Sequence, residues 1–162
     1  FYRLASPEVA HAIESLMALA GTRAAPASKS AAWRRDPDLR FCRNCYDHLA
    51  GQVGIAVTDS LTRQGHLEPK GPRDCQLPPS RALFCDNLGV DLGEARKPSS
   101  RHFARQCLDW SERRPHISGA LGAAIADTFF KRGWAERLRR SRTVRLTDSG
   151  RRALGSHFGA TV

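Results

Sequence analysis

Two short stretches of this chain gather side chains that ligate metals or carry redox chemistry, and the second repeats the first. Phe41-x-Arg43-x-Cys45-x-Asp47 recurs as Phe103-x-Arg105-x-Cys107-x-Asp109, and His48-x-x-Gly51-x-x-Gly54 with Asp59 recurs as His116-x-x-Gly119-x-x-Gly122 with Asp127. Thiolates and imidazoles are the ligands that zinc and other thiophilic ions take, and two thiols brought together can also form a redox pair. Cys45, Cys107, Asp47 and Asp109, with His48 and His116 beside them, are therefore the candidate metal- or thiol-sensing residues. Metal binding there requires both thiols to ionise. A structural reading competes: cysteine behaves as a small buried hydrophobe, and Arg43 and Arg105 can pair with Asp47 and Asp109 in an ion-pair network.

The chemistry depends on the copies meeting. They lie 62 residues apart before the histidine and 68 after it, and the difference is a single insertion from Trp110 to Pro115 that leaves the landmarks in register. A tandem duplication predicts two copies of one supersecondary unit around a shared pseudo-symmetric core, with equivalent residues near its axis. The alternation of Phe41, Arg43, Cys45 and Asp47 predicts an extended segment with those side chains on one face. His48 and His116 are expected to open helices whose apolar positions are Leu49, Val53, Val57, Leu61 and Ile117, Leu121, Ile125, Phe129. Gly65 and Gly133 stand where a left-handed C-terminal residue belongs. The pairs Gly51/Gly54 and Gly119/Gly122 are expected inside the helices, where close helix crossing or a ligand against bare backbone must offset their cost. Asp59 and Asp127 read as exposed or capping residues.

After Gly133, Val144 to Leu146 read as the end of a β-hairpin and Thr147 as the cap of a last helix through Ala153, Leu154 and Phe158. Helix, hairpin and capped helix in that order make a winged-helix half. In the first copy, Leu77-Pro78-Pro79-Ser80 takes the place of Leu146-Thr147-Asp148-Ser149 but lacks the cap threonine. Ahead of the repeats, Ser6-Pro7-Glu8 begins a helix with an apolar stripe of Val9, Ile13, Leu16 and Met17, and residues 21–38 turn to the composition of a linker.

Net charge is +10 in 162 residues, which favours nucleic acid or another anionic partner; the competing reading is a high-GC genome that writes arginine where lysine would serve. The basic cluster includes Arg137, Arg139, Arg140, Arg142 and Arg145, placed where a wing could touch the DNA backbone. Five cysteines are an odd number in no dense framework, so a reducing, cytoplasmic setting is expected. No apolar run is long enough to span a bilayer. Cys42-x-x-Cys45 has half of a zinc or redox motif, but Ala104 stands where the second copy would need its cysteine, and Cys75 and Cys85 have no equivalents. No nucleophile with a base, phosphate loop or catalytic acid pair is present, so an enzyme is not expected.

Phe1-Tyr2-Arg3-Leu4-Ala5-Ser6-Pro7 running into an amphipathic helix resembles the last wing strand and dimer-forming helix of ArsR-type bacterial winged helix-turn-helix repressors. Cys45-Tyr46-Asp47-His48-Leu49-Ala50-Gly51 and Cys107-Leu108-Asp109-Trp110 resemble the long C-terminal extension of a subset of that family. The resemblance implies a cytoplasmic, homodimeric transcription regulator that meets DNA as the full-length protein. It also implies that the reading helix-turn-helix precedes Phe1, an upstream part having been removed.

The expected fold is α+β and helix-rich: two tandem degenerate winged-helix-like repeats, over 39–95 and 96–162, preceded by a dimerisation helix over 1–20 and the linker. The expected function is the effector-sensing and dimerisation part of such a regulator, with a thiophilic metal ion such as zinc as its candidate cofactor. The alternatives are a pure dimerisation scaffold and an auxiliary nucleic-acid-binding winged module.

Overall fold

In a computed structural model of the protein, residues 36–96 and 102–162 are described, together with Ala5, Ser6, Val9, Ala12, Ile13 and Leu16. The expected wing strand up to residue 4, the linker up to residue 35 and most of the expected dimerisation helix lie outside the described residues; Val9, Ala12, Ile13 and Leu16 are helical and exposed.

Asp36 accepts a hydrogen bond from the Leu39 N–H and starts α1 (Pro37–Phe41), with proline in the first turn where its missing donor costs nothing. This helix takes the last two positions of the expected linker and ends on Phe41, so Phe41 does not share the strand face of Arg43 and Cys45. The first repeat then runs β1 (Arg43–Cys45), β2 (His48–Ala50), α2 (Gly51–Arg63), β3 (Glu68–Pro69), β4 (Asp74–Gln76), a 3-10 turn (Pro79–Arg81) and α3 (Ala82–Leu88). After α4 (Leu92–Ala95) the second repeat follows the same order: β5 (Ala104–Leu108), β6 (Pro115–Ser118), α5 (Gly119–Lys131), β7 (Ala135–Arg137), β8 (Val144–Leu146) and α6 (Asp148–Phe158). The chain is thus mixed α and β with small antiparallel sheets.

The two histidines are not in helices. Each lies on the second strand of a hairpin, and each helix begins three residues later, at Gly51 (φ 79°) and Gly119 (φ 80°). The 3.6-residue pattern of apolar residues does run back through Leu49 and Ile117, which is why the sequence reads as helix too early. The turn into the helix requires positive φ, and a Cβ there would lie 2.3 Å from the Arg40 carbonyl oxygen at Gly51 and 2.6 Å from that of His102 at Gly119. Downstream the reading holds: Gly65 and Gly133 have φ of 70° and 65°, and Thr147 caps α6 by accepting from the Gly150 N–H.

The repeats are interleaved. Hairpin β3–β4 of the first pairs with β5 of the second, Asp74 opposite Arg105, while β8 of the second reaches β1 of the first through the bridge between Arg43 and Thr143. Helix α2 packs on β6 and α5 on β2. All eight expected apolar helix positions are buried in one continuous core, which Leu88, Val144, Leu154 and Phe158 complete. Among the described residues no helix is long and apolar enough to cross a membrane.

Candidate metal or thiol centre

The hairpins place the reactive side chains. In the first, the turn at Tyr46 and Asp47, with Tyr46 at φ 61°, sets Cys45 directly opposite His48 across the strands. In the second, the inserted residues lengthen the loop and Cys107 still stands opposite His116. Directly opposed residues on antiparallel strands share a face, so each hairpin presents one thiol and one imidazole on the same side.

The two faces meet. Cys45 Sγ lies 4.0 Å from Cys107 Sγ and His48 Nε2 lies 3.2 Å from His116 Nε2. The four donor atoms lie within 4.8 Å of one another, and of the four residues only Cys45 is not fully buried. Close approach of helix to hairpin makes this possible: a Cβ on Gly54 would stand 3.6 Å from the Cβ of His116, and one on Gly122 would stand 3.4 Å from the Cβ of His48. Those are ordinary contact distances; what requires glycine at both positions is the helix's own hairpin, whose Leu49 and Ile117 carbonyl oxygens would lie 2.4 and 2.6 Å from such a Cβ.

The aspartates stand behind the imidazoles rather than among the donors. Asp47 Oδ1 is 3.3 Å from His48 Nδ1, and Asp109 Oδ2 is 3.4 Å from His116 Nδ1, the latter at ion-pair distance without hydrogen-bond alignment. Asp109 is also the acceptor for a buried network. It receives the Arg43 guanidinium at 2.8 Å, the Gly51 N–H at 2.7 Å, and the N–H and hydroxyl of Ser111 at 2.9 and 2.8 Å. Trp110 lies against the Arg43 guanidinium, 4.3 Å from its carbon to the ring centre. Burial works to raise the Asp109 carboxyl, but His116, Arg43 and the Gly51 amide outweigh it and hold the group well below the usual carboxylate range. The Cys45 thiol is also held well below its ordinary value, chiefly by the hydrogen bond with Cys107; burial opposes this, and both imidazoles add to it.

All six expected sensing residues thus lie in one cluster, four as converging donors and two as carboxylates behind them. The ion-pair reading applies to one arginine of the two, and across the repeats: Arg43 pairs with Asp109, whereas Arg105 faces Asp74 and His102. Sequence reasoning did not find Ser111 and Trp110; their signal was the insertion, which exists only in the copy that must cover Arg43. Cys42, despite its spacing from Cys45, is buried in the core, with its thiol pushed up to about 12 by burial. Cys75 and Cys85 are likewise buried and raised. The candidate DNA-contacting arginines Arg137, Arg139, Arg140, Arg142 and Arg145 are all exposed on the β7–β8 hairpin and its turn. Of these, Arg145 pairs with Glu136 and Arg137 stacks over Phe130.

A donor set of two sulfurs and two imidazole nitrogens is one that thiophilic divalent ions take, and two thiols 4.0 Å apart are also close enough to be coupled in oxidation. No family model matches the chain, and no solved structure matches it. The chain is similar to the uncharacterized HTH-type transcriptional regulator YdfF of Bacillus subtilis (strain 168), with 38% identity over 162 residues that cover the whole of this chain and 70% of the relative. Similarity of that extent shows common descent, and the chain belongs to the HTH-type transcriptional regulators.

Proposed function

We propose that this chain is the effector-sensing and subunit-pairing part of an ArsR-type DNA-binding transcription regulator of the cytoplasm, and that the effector acts at Cys45, Cys107, His48 and His116. The observation that carries this is the convergence of one thiol and one imidazole from each repeat on a single point, in a chain whose 162 residues align with 70% of an HTH-type regulator. A dimerisation scaffold alone would need no such donor set: apolar residues at those buried positions pack without the desolvation cost of polar ones.

Operator binding by the intact regulator tests the reading. Binding should change at least several-fold when the protein is treated with a chelator or a mild thiol oxidant, and the change should vanish in the variant carrying Cys45→Ser and Cys107→Ser. Unaltered binding through all treatments leaves the scaffold reading. A second reading, auxiliary contact with the DNA backbone, is favoured by the exposed arginines of the β7–β8 hairpin.

A further inference from the structure

We propose that Cys45, His48, Cys107 and His116 are the four ligands of a tetrahedral site for a divalent thiophilic metal ion, with zinc the best match, and that the bound ion fastens the two repeats together. The inference deepens the sensing reading by naming the class of effector. Only its consequence for operator binding rests on that reading.

Geometry supports it first. With metal–sulfur bonds near 2.3 Å and metal–nitrogen bonds near 2.0–2.1 Å, a tetrahedron holds its sulfurs about 3.8 Å apart and its nitrogens about 3.3–3.4 Å apart. The protein has 4.0 and 3.2 Å. A sulfur–nitrogen edge of such a site is about 3.5 Å and the donor atoms lie within 4.8 Å of one another, so on loading the longest edge closes by about 1.3 Å at most.

The histidines are set up as ligands. Asp47 stands within hydrogen-bond distance of His48 Nδ1, which favours N–H on that side and the lone pair on Nε2, and at His116 the Asp109 carboxylate acts on Nδ1 in the same sense by charge alone, at ion-pair distance. Two Nε2 lone pairs then point at each other across 3.2 Å in a buried space, and they repel unless a proton or a cation lies between them. A metal ion bonded to both nitrogens and both sulfurs removes that conflict.

Charge selects the ion. Binding releases one proton from each thiol that still carries one, and a divalent ion with two thiolates and two neutral imidazoles is then electrically neutral, which suits a buried site. The Asp109 charge is already matched by Arg43 and does not enter the sum. No carboxylate is among the four donors, which disfavours the hard ions calcium and magnesium. With four protein donors the sphere is closed, the pattern of a structural or sensing site rather than a catalytic one.

The test uses the intact regulator, purified under reducing conditions. Cobalt(II) added to the metal-free protein should bind at one ion per chain. It should give the strong visible absorption of a tetrahedral ion together with thiolate-to-metal charge transfer in the near ultraviolet, and zinc should displace it. The variant with Cys45→Ser and Cys107→Ser should lose the charge-transfer band. Asp47→Asn, a change at a partly exposed residue behind His48, should keep the spectrum and weaken affinity about 10–100-fold. Chelation should lower the thermal midpoint of the parent and leave the double-serine variant unmoved. Absence of a tetrahedral spectrum with both thiols shown to be reduced overturns the proposal, as does a charge-transfer band that survives in the double-serine variant. Recovery of Cys45 and Cys107 only as a reversible disulfide, with no metal taken up, also overturns it. Metal binding without any effect on operator affinity leaves the site standing and removes the sensing reading instead.

Discussion

At the scale of single residues, the buried pair of Arg43 and Asp109 joins the first hairpin to the second through one 2.8 Å contact, with Asp109 also accepting from the Gly51 amide. Removing one member leaves the other charged and unpaired in the interior, which costs about 3–5 kcal/mol. Arg43→Ala should therefore lower the urea midpoint sharply, and a loss below about 1 kcal/mol would show the pair to be solvated. Cys42 makes a separate prediction. Its thiol is raised to about 12 by burial, against about 8.5 in an unfolded chain. A raised folded value means that the contribution is complete below the unfolded value and is lost as pH climbs from there toward 12. Each unit in that window removes up to about 1.4 kcal/mol. Denaturation series between about pH 8 and 11 should show a shallower alkaline fall for Cys42→Ala than for the parent, whatever the packing loss at neutral pH.

At the scale of elements, two kinds of glycine are distinguished by what surrounds them. Ordinarily a helical glycine replaced by alanine gains about 1 kcal/mol of propensity. At Gly54 and Gly122 a Cβ would lie 2.4 Å from the Leu49 carbonyl oxygen and 2.6 Å from that of Ile117, so the helix must move off its hairpin. Gly54→Ala and Gly122→Ala should each destabilise by about 1–3 kcal/mol. Gly155→Ala, in α6 with nothing within 4 Å of the new methyl, should stabilise by up to about 1 kcal/mol. Thermal unfolding of the three variants checks the contrast, and the same sign for all would contradict it. The duplication, the apolar stripes and the caps at Gly65, Gly133 and Thr147 were legible because they are local patterns of period and type. The start of each helix was not. Leu49 and Ile117 satisfy both a helical stripe and a strand facing the core, and only the positive φ at Gly51 and Gly119 breaks the tie.

At the scale of the whole molecule, each repeat lends a hairpin to the other and both share one core, so neither half can satisfy its strand edges or apolar faces alone. Fragments 39–95 and 96–162 made separately should lack the dispersed NMR spectrum of a folded protein, and mixing them should restore it. A well-dispersed spectrum from either alone would count against the shared core. Charge also acts at this scale. If the exposed hairpin arginines meet phosphate, replacing Arg139 and Arg142 with Gln in the intact regulator should weaken binding to all sequences alike. The slope of log affinity against log salt should fall by about 1 per lost contact.

The sequence alone determined that a cysteine, a histidine and an aspartate occur twice in register, because identity and spacing are written in the chain and survive an insertion within a loop. It also determined which helix faces are apolar, since a 3.6-residue period needs no partner to be seen. Which donors converge was decided only by the tertiary structure. Hairpin register sets each cysteine across from its histidine, and the crossed packing of α2 on β6 and α5 on β2 brings the two pairs face to face. Such distances depend on how surfaces far apart in sequence fit together, and no local pattern carries that information.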